Sequence, residues 1–368
     1  LVSRVVVSNP TRTKAIAQAT VMTDAVDAKT LANLLRSDYL PEVWQPGPDT
    51  ENLRAVISFR AQLTGTRTRY FNRIRSILQR LMIELPTRRA DAVSARAALA
   101  NADLPAVERL EVDTLLRLID ETNAGIDEVD QKIAEIAYQS HEIRLLMTLP
   151  GIGVLGATAL WGAIGDISRF KSSNHLVGYL GLAPRVKQSG YHAWYGSITK
   201  AGAKEARRLL VLAARHLKTH PGPLGEFYRR LSDRKHGNVA TVAGARKLVE
   251  VAYHMLTNDE PYRYAAPERT QAKLNKLHKS ATGSYRPKEP IVIHPAHEAL
   301  KPEESGYRRE AHRSLNDVLE RAHLPRVNWK QLPPGEQRTA KISAEYVESL
   351  QHSVSRYRKV RRQTEDST

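Results

Sequence analysis

The sequence predicts a mainly α-helical protein with a small α/β part. Aromatic residues make up only 6% of a chain whose hydrophobic fraction is 41%, a balance that suits packed helices better than a strand-rich core. Two long stretches, Asp49–Leu85 and Pro105–Tyr138, repeat apolar residues at three- and four-residue steps. Strand-like patterns are short and confined to Val5–Val7 and to the segment from Gly181 to Ile198.

The elements follow in order. Val5–Val7 is a β-branched run before the turn signal Asn9–Pro10, and reads as one buried strand. Thr23 is the expected N-cap of a helix whose apolar face is Ala28, Leu31, Ala32, Leu34 and Leu35. Pro41, Pro46, Gly47 and Pro48 mark a boundary. The helix from Asp49 carries Leu53, Val56, Ile57, Leu63, Ile74, Ile77, Leu78 and Leu81, with a basic face of Arg60, Arg67, Arg69, Arg73, Arg75 and Arg80, and Pro86 ends it. In the second long stretch Leu110, Leu115, Leu118, Ile119, Ile126, Val129, Ile133 and Ile136 are spaced like a coiled-coil seam. A polar turn rich in Ala and Arg joins the two, so an antiparallel helical hairpin is expected. A compact block runs from Leu145 to about Leu256. From Pro261 the chain is proline-rich, polar and basic, with helical patterns only near Tyr307–His323 and Ala344–Arg362. That tail is expected to be partly disordered or to fold on a partner.

Charge narrows the function. The chain has 368 residues, with 56 Lys and Arg against 39 Asp and Glu, a formal +17. Such a surplus favours a polyanion, nucleic acid first and an anionic membrane second. No apolar run reaches the roughly 18 residues of a membrane span. The opening LVSRVVVSNP does not read as a signal peptide. Because the first residue is Leu1, an N-terminal portion is expected to be missing. The absence of cysteine excludes disulfides, thiolate metal sites and cysteine nucleophiles, and is compatible with a reducing cytosol.

Three constellations carry chemistry. The segment LPGIGVLGATAL reads as helix, tight turn and helix: Gly151 and Gly153 permit close backbone approach, and the next helix offers first-turn N–H groups to a phosphate. This is the pattern of a helix-hairpin-helix, and an ordinary turn between core helices is the plainer alternative. Trp161 and Phe170 read as core rather than as stacking platforms. In GLAPRVKQSG, Ser189–Gly190 fits a turn and Tyr191–Ile198 a strand or hairpin; Thr199 is placed to cap a helix running to about Lys218 that buries Ala203, Leu209, Leu210, Leu212 and Ala213. Around it stand Arg185, Lys187, Lys200, Lys204, Arg207, Arg208, Arg215 and Lys218 against only Glu205, a pattern expected to face phosphate. Ser189 is either a simple turn residue or a nucleophile whose alkoxide attacks a phosphodiester and stores the bond as phosphoserine. Asp24 and Asp27, at i and i+3, either share a Mg2+ or favour the helix dipole. Two carboxylates are half of a two-metal site. His216 and His220 lack a third ligand for zinc, as do His294 and His297, and no Walker loop is present.

Taken together, TDAVDAKTLANLL, the two long helices, MTLPGIGVLGATALWGAIGDISRF, YLGLAPRVKQSG, ITKAGAKEARRLLVLAA and LTNDEPYRY resemble the DEDD-type transposases of the insertion-sequence family numbered 110, 116 and 902, over about Val5 to Leu277. The resemblance implies a remnant of an RNase-H-like (RuvC-like) nuclease domain at 1–45. It further implies a long antiparallel coiled coil at 46–140, a helical transposase domain with the helix-hairpin-helix at 141–278, and a basic tail at 279–368. It implies four acids binding Mg2+, of which Asp24 and Asp27 match the last two, and a covalent serine nucleophile, matched by Ser189. The first two acids are expected N-terminal to Val5. Gly151, Gly153, Arg185, Lys187, Lys200, Lys204, Arg207 and Arg208 are the expected nucleic-acid contacts. The implied partners are DNA, a guide RNA encoded by the element, and further copies of the chain as a dimer or tetramer. No membrane is involved, and the implied location is the cytoplasm, at the nucleoid. The competing expectation is a non-catalytic DNA- or RNA-binding remnant.

Overall fold

The computed structural model describes residues 5–16, 23–87, 92–189, 191–283, 307–309, 314–329, 344–351 and 357–359. They divide into two compact units, Leu1–Glu51 and Asn52–Thr368. The second-unit elements make the protein mainly helical, with two small two-stranded sheets.

The first unit holds α1 (Pro10–Ile16) and α2 (Asp24–Arg36). The expected buried strand at Val5–Val7 is not formed. Val5 and Val7 are 78% and 42% exposed. Among the described residues the run meets the segment 41–43, through a Ser8–Glu42 bridge and bonds from Val43 N–H to the Val7 carbonyl at 2.7 Å and from Asn9 N–H to the Pro41 carbonyl at 3.2 Å. Asn9–Pro10 starts a helix instead of a turn. Proline suits the first helical position because its missing N–H has no helical partner there, and the Asn9 side chain accepts from Arg12 N–H at 3.2 Å. Thr23 does cap α2, its hydroxyl accepting from Val26 N–H at 3.3 Å. No residue of α2 is buried, so the expected apolar face stays open at Leu31 and Leu35.

The second unit is built on two long helices, α3 (Pro48–Arg80) and α5 (Ala106–Gln139), joined through α4 (Val93–Asn101). The expected polar turn thus contains a helix of its own. Alanine-rich sequence favours it, and Ala95 and Leu99 are buried. The antiparallel arrangement is written in the side-chain pairs. Arg60 pairs with Asp130, Arg67 donates to Asn123 at 2.8 Å, Arg73 pairs with Glu111, and Arg80 with Glu108 at 2.8 Å. The basic face of α3 is therefore largely turned to the acids of α5. Between the rows lie Ile74, Ile77, Leu78, Leu99, Val112, Leu115 and Ile119. Val112 takes the place expected for Leu110, which is 69% exposed. The first long helix ends at Arg80, six residues before Pro86, and two residues on Met82 adopts a left-handed φ of 57°.

The main core follows. Its helices are α6 (His141–Leu146), α7 (Val154–Ile164), α8 (Ser173–Tyr179), α9 (Lys204–Arg215), α10 (Pro223–Ser232), α11 (Gly237–Asn258) and α12 (Pro267–Thr282). A hairpin of β1 (Pro184–Ser189) and β2 (His192–Ile198) separates α8 from α9. On α11 the small residues Ala240, Gly244, Ala245 and Ala252 admit close neighbours, and Leu248 and Val249 fill between them. Phe170 is buried and Trp161 packs against the same core, as expected. The proline-rich segment from Pro261 does not stay irregular: Pro267 opens α12, again at a helix start. Nor is the tail wholly outside the fold. Helices α13 (Leu315–Arg321) and α14 (Ala344–Gln351) contribute Leu315, Val318, Leu319 and Leu350 to the main core. A short pair, β3 (Tyr307–Arg309) with β4 (Tyr357–Lys359), accompanies them. The prolines at 287, 290, 295 and 302, His294 and His297 lie outside the described residues.

Several helix ends in this unit share one solution. The last carbonyls of a helix lack internal donors, and here cations supply them. Arg109 donates to Leu99 and Ala102 after α4, and Arg54 and Arg169 to the end of α7. Arg144 donates to Ala322 after α13, at 3.0 Å. Lys273 from α12 donates to the carbonyls of Met147 and Leu149, at 2.7 and 2.6 Å, just after α6. Burial and then Arg269 push the Lys273 ammonium down to about 8.

His220, buried between α9 and α10, is held neutral. Its Nδ1 accepts from Gly222 N–H at 3.1 Å. Burial, then the charges of Arg269, Lys273 and Arg229, lower its pKa from 6.5 to about 4. Unfolded chains take up the proton near 6.5 and the native state does not until about 4. The contribution to stability is thus full above 6.5 and lost as pH falls towards 4. At about 1.4 kcal/mol per pKa unit it is worth up to ~3 kcal/mol. Between about pH 7 and pH 4.5 the gap in urea stability between the parent and His220→Asn, which keeps an acceptor for Gly222, should narrow. A gap constant with pH would refute the neutral buried histidine.

Candidate nucleic-acid interface

The hairpin β1–β2 leaves and re-enters the core through one crossing. Thr199 N–H donates to the Ala183 carbonyl at 2.9 Å and Lys200 N–H to Gly181 at 3.1 Å. Gly202 has φ +66°, and a Cβ there would fall 2.0 Å from the Tyr179 carbonyl oxygen. Only glycine fits that conformation and that approach. Arg207, one turn into α9, donates to the carbonyls of Leu180 at 3.1 Å and Ala201 at 2.6 Å, tying both strands of the crossing. So Arg207, expected at a nucleic-acid face, is half-buried and engaged by the fold. Thr199 does not cap α9. Ala203 is the N-cap, and the buried Thr199 hydroxyl has no hydrogen-bond partner among the described residues. The helix buries Ala206, Leu210, Ala213 and Ala214, while Leu212 is 40% exposed. It gives way to a 3-10 turn at His216–Thr219 instead of continuing to Lys218.

The hairpin itself stands in solvent. Ser189 is the last residue of β1, exposed, and sits opposite His192 in the ladder; Gly190 lies outside the described residues. Arg185 and Lys187 are exposed on the same strand. At its base Lys200 and Lys204 are exposed. Lys204 is the first residue of α9, where a cation opposes the helix dipole and a bound anion relieves it. Arg208, also exposed, is paired with Glu205 at 2.8 Å.

The turn between α6 and α7 holds the two glycines of the first constellation, Gly151 and Gly153. Gly151 has φ +75°, and a Cβ there would meet the Ala213 carbonyl oxygen at 2.4 Å. Its freedom therefore serves packing on α9. Gly153 differs: it is the N-cap of α7, brings no side chain to the first-turn N–H groups, and has open space where a Cβ would lie. A groove of about 510 Å³ runs past it, lined also by Leu155, His216, Lys273, Lys276 and Ser280. The α12 lysines were not legible as part of this region from sequence. Their only signal is basic spacing on an otherwise ordinary amphipathic helix.

Asp24 and Asp27 occupy the first turn of α2, both exposed. Their spacing puts two carboxylates on one side of the helix. That donor set suits Mg2+, which takes one or two carboxylates and keeps several waters. Among the described residues no group of three acids or histidines is placed to hold a metal.

Comparison with known proteins finds matches over two separate parts of the chain. A family model described as "Transposase IS116/IS110/IS902 family" matches residues 143–229, and the DEDD transposase model of the same group, described as "Transposase", matches residues 3–83. The transposase for insertion sequence element IS1111A of Coxiella burnetii is 26% identical over 252 residues, 66% of this chain and 69% of that protein. The transposase for insertion sequence element IS1328 of Yersinia enterocolitica is 27% identical over 247 residues, 64% of this chain and 71% of that protein. A pilin gene-inverting protein of Moraxella bovis is 36% identical over 126 residues, 33% of this chain and 39% of its own. Among the described residues no helix is long and apolar enough to cross a membrane. With both domain types matched in chain order and named transposases aligned across about two thirds of its length, the chain is similar to the transposases of the IS110/IS116/IS902 family.

Proposed function

We propose that the protein cleaves and rejoins DNA during insertion-sequence transposition, with Ser189 as the covalent nucleophile. The observation that carries this reading is the position of Ser189. It ends an exposed strand, beside exposed Arg185 and Lys187, on a hairpin held at its base by the Gly202 crossing and Arg207. In the reaction the Ser189 hydroxyl loses its proton and its oxygen attacks phosphorus. The bond from phosphorus to one deoxyribose oxygen breaks, and that oxygen leaves as a hydroxyl after taking up a proton. Attack by another DNA hydroxyl on the phosphoserine reverses the step and frees the serine. Arg185, Lys187, Lys200 and Lys204 offset the charge gathered on the phosphoryl oxygens. Gly153 and the α7 N-terminus hold a neighbouring phosphate. Asp24 and Asp27 would supply two of the carboxylates for Mg2+, which polarises phosphoryl oxygens when bound. The first unit fits part of an RNase-H-like domain, and the long α3–α5 pair a coiled coil through which copies of the chain assemble. A guide RNA from the element would select the DNA partners, at the nucleoid.

The reading predicts a covalent protein–DNA adduct that maps to one serine. After co-expression with the element's RNA and incubation with DNA from the element's end, nuclease trimming and peptide mass spectrometry should find nucleotide on Ser189. Ser189→Ala should abolish the adduct while DNA affinity changes less than about twofold, since one hydroxyl contributes little to binding. An adduct on another residue, or on none in the parent protein, would remove Ser189 from the mechanism.

A further inference from the structure

The hairpin that carries Ser189 carries a second feature on the same face. The register sets Ser189 opposite His192 and Lys187 opposite Trp194, and strand alternation puts these four on one side. Trp194 is 62% exposed and Tyr191, beside the tip, is fully exposed. The indole is not loose. A Cβ on Gly196 would fall 2.8 Å from Cζ3 and 2.9 Å from Cη2 of Trp194, so the six-membered ring fills the space that a side chain at 196 would take. Gly196, two residues along on the same face, thus seats the ring against the strand while most of its surface stays in solvent.

A large exposed aromatic ring contributes nothing to the core, unlike Trp161 and Phe170, which pack into it. The hairpin strands carry no acidic residue, and their exposed cations are Arg185 and Lys187. A seated planar ring beside cations is the arrangement by which proteins hold unpaired bases: the ring stacks and the cations meet the backbone. We propose that Trp194 is a stacking platform for an unpaired DNA base flanking the phosphate that Ser189 engages. The proposal rests on Ser189 facing DNA, and Gly196 is its positioning residue. Stacking there keeps the strand from re-pairing and fixes its register against the serine.

The test titrates the intact protein with a mixed-sequence single-stranded DNA oligonucleotide and follows both affinity and tryptophan fluorescence. DNA should quench part of the emission of the parent protein, and Trp194→Phe should lose that part while keeping most of the affinity. Trp194→Ala should weaken binding by about 5- to 150-fold, the worth of one base–aromatic stack. Gly196→Val, which evicts the ring from its seat, should weaken binding in the same direction with an unchanged far-ultraviolet circular dichroism spectrum. Ser189→Ala should keep the quench, so an adduct that persists in Ser189→Ala beside a retained quench condemns the serine and not the stack. The proposal is overturned by quenching that persists in Trp194→Phe, or by an alanine variant that binds within twofold of the parent. It is equally overturned by quenching with single-stranded RNA but not DNA, or by a Trp194 signal that follows protein concentration without DNA, which would mark the face as a contact between copies.

Discussion

Helix carbonyls set the terms of the second unit. A bundle of many helices joined by short connections leaves many C-terminal carbonyls facing inward, and each needs a donor. This chain supplies arginine or lysine from a neighbouring element: Arg54 and Arg169 at α7, Arg109 at α4, Lys273 at α6, Arg207 at the crossing under the hairpin. Each bond joins segments far apart in sequence or closes a local turn, and charge-assisted hydrogen bonds are the stronger kind. The hairpin with Ser189 depends on this device most. Arg207 grips the chain on its way out at Leu180 and on its way back at Ala201, so the two strands leave the core from one fixed point.

The same device divides the positive charge. A formal +17 reads at first as one broad nucleic-acid surface. Among the described residues the structure separates cations already matched by oxygen from cations that are not part of such pairs. Arg60, Arg73 and Arg80 meet Asp130, Glu111 and Glu108 across the long helices. Exposed pairs of this kind contribute little stability individually, commonly under about 1 kcal/mol, but like-charge alternatives in another register are penalised. They specify how α3 and α5 align. Arg185, Lys187, Lys200 and Lys204 are different: exposed, clustered on the hairpin and its base, and in the case of Lys204 placed against the helix dipole.

Periodicity made the large elements legible. The α5 boundaries and the antiparallel pairing of the long helices follow from apolar spacing, and the Thr23 cap and the β1–β2 hairpin follow from local chemistry. The failures have a common cause. Proline at 10 was read as part of a turn where it serves as a helix start, because the same fixed φ suits both. Glycine at 151 was read as an approach for a ligand, yet its near neighbour is the Ala213 backbone, a contact 62 residues along the chain that no local pattern encodes. Arg207 looked like its neighbours Lys204 and Arg208, and only the tertiary crossing tells them apart. The candidate site was legible as residue types around Ser189. Which of them face solvent was not.

The similarity to transposases points to DNA, and the two matched segments, 3–83 and 143–229, contain Asp24 with Asp27 and the β1–β2 hairpin respectively. The account turns on the claim that the hairpin cations meet phosphate while the arginines of the long helices hold the fold. The salt dependence of DNA affinity measures this directly, because each lost phosphate contact lowers the slope of log K against log[salt] by about 0.7 to 0.9. Joint replacement of Lys187 and Lys204 by glutamine should reduce the slope by about 1.4 to 1.8, and Arg73→Gln should leave it unchanged. An unchanged slope in the double variant, with a reduced slope in Arg73→Gln, would contradict the account.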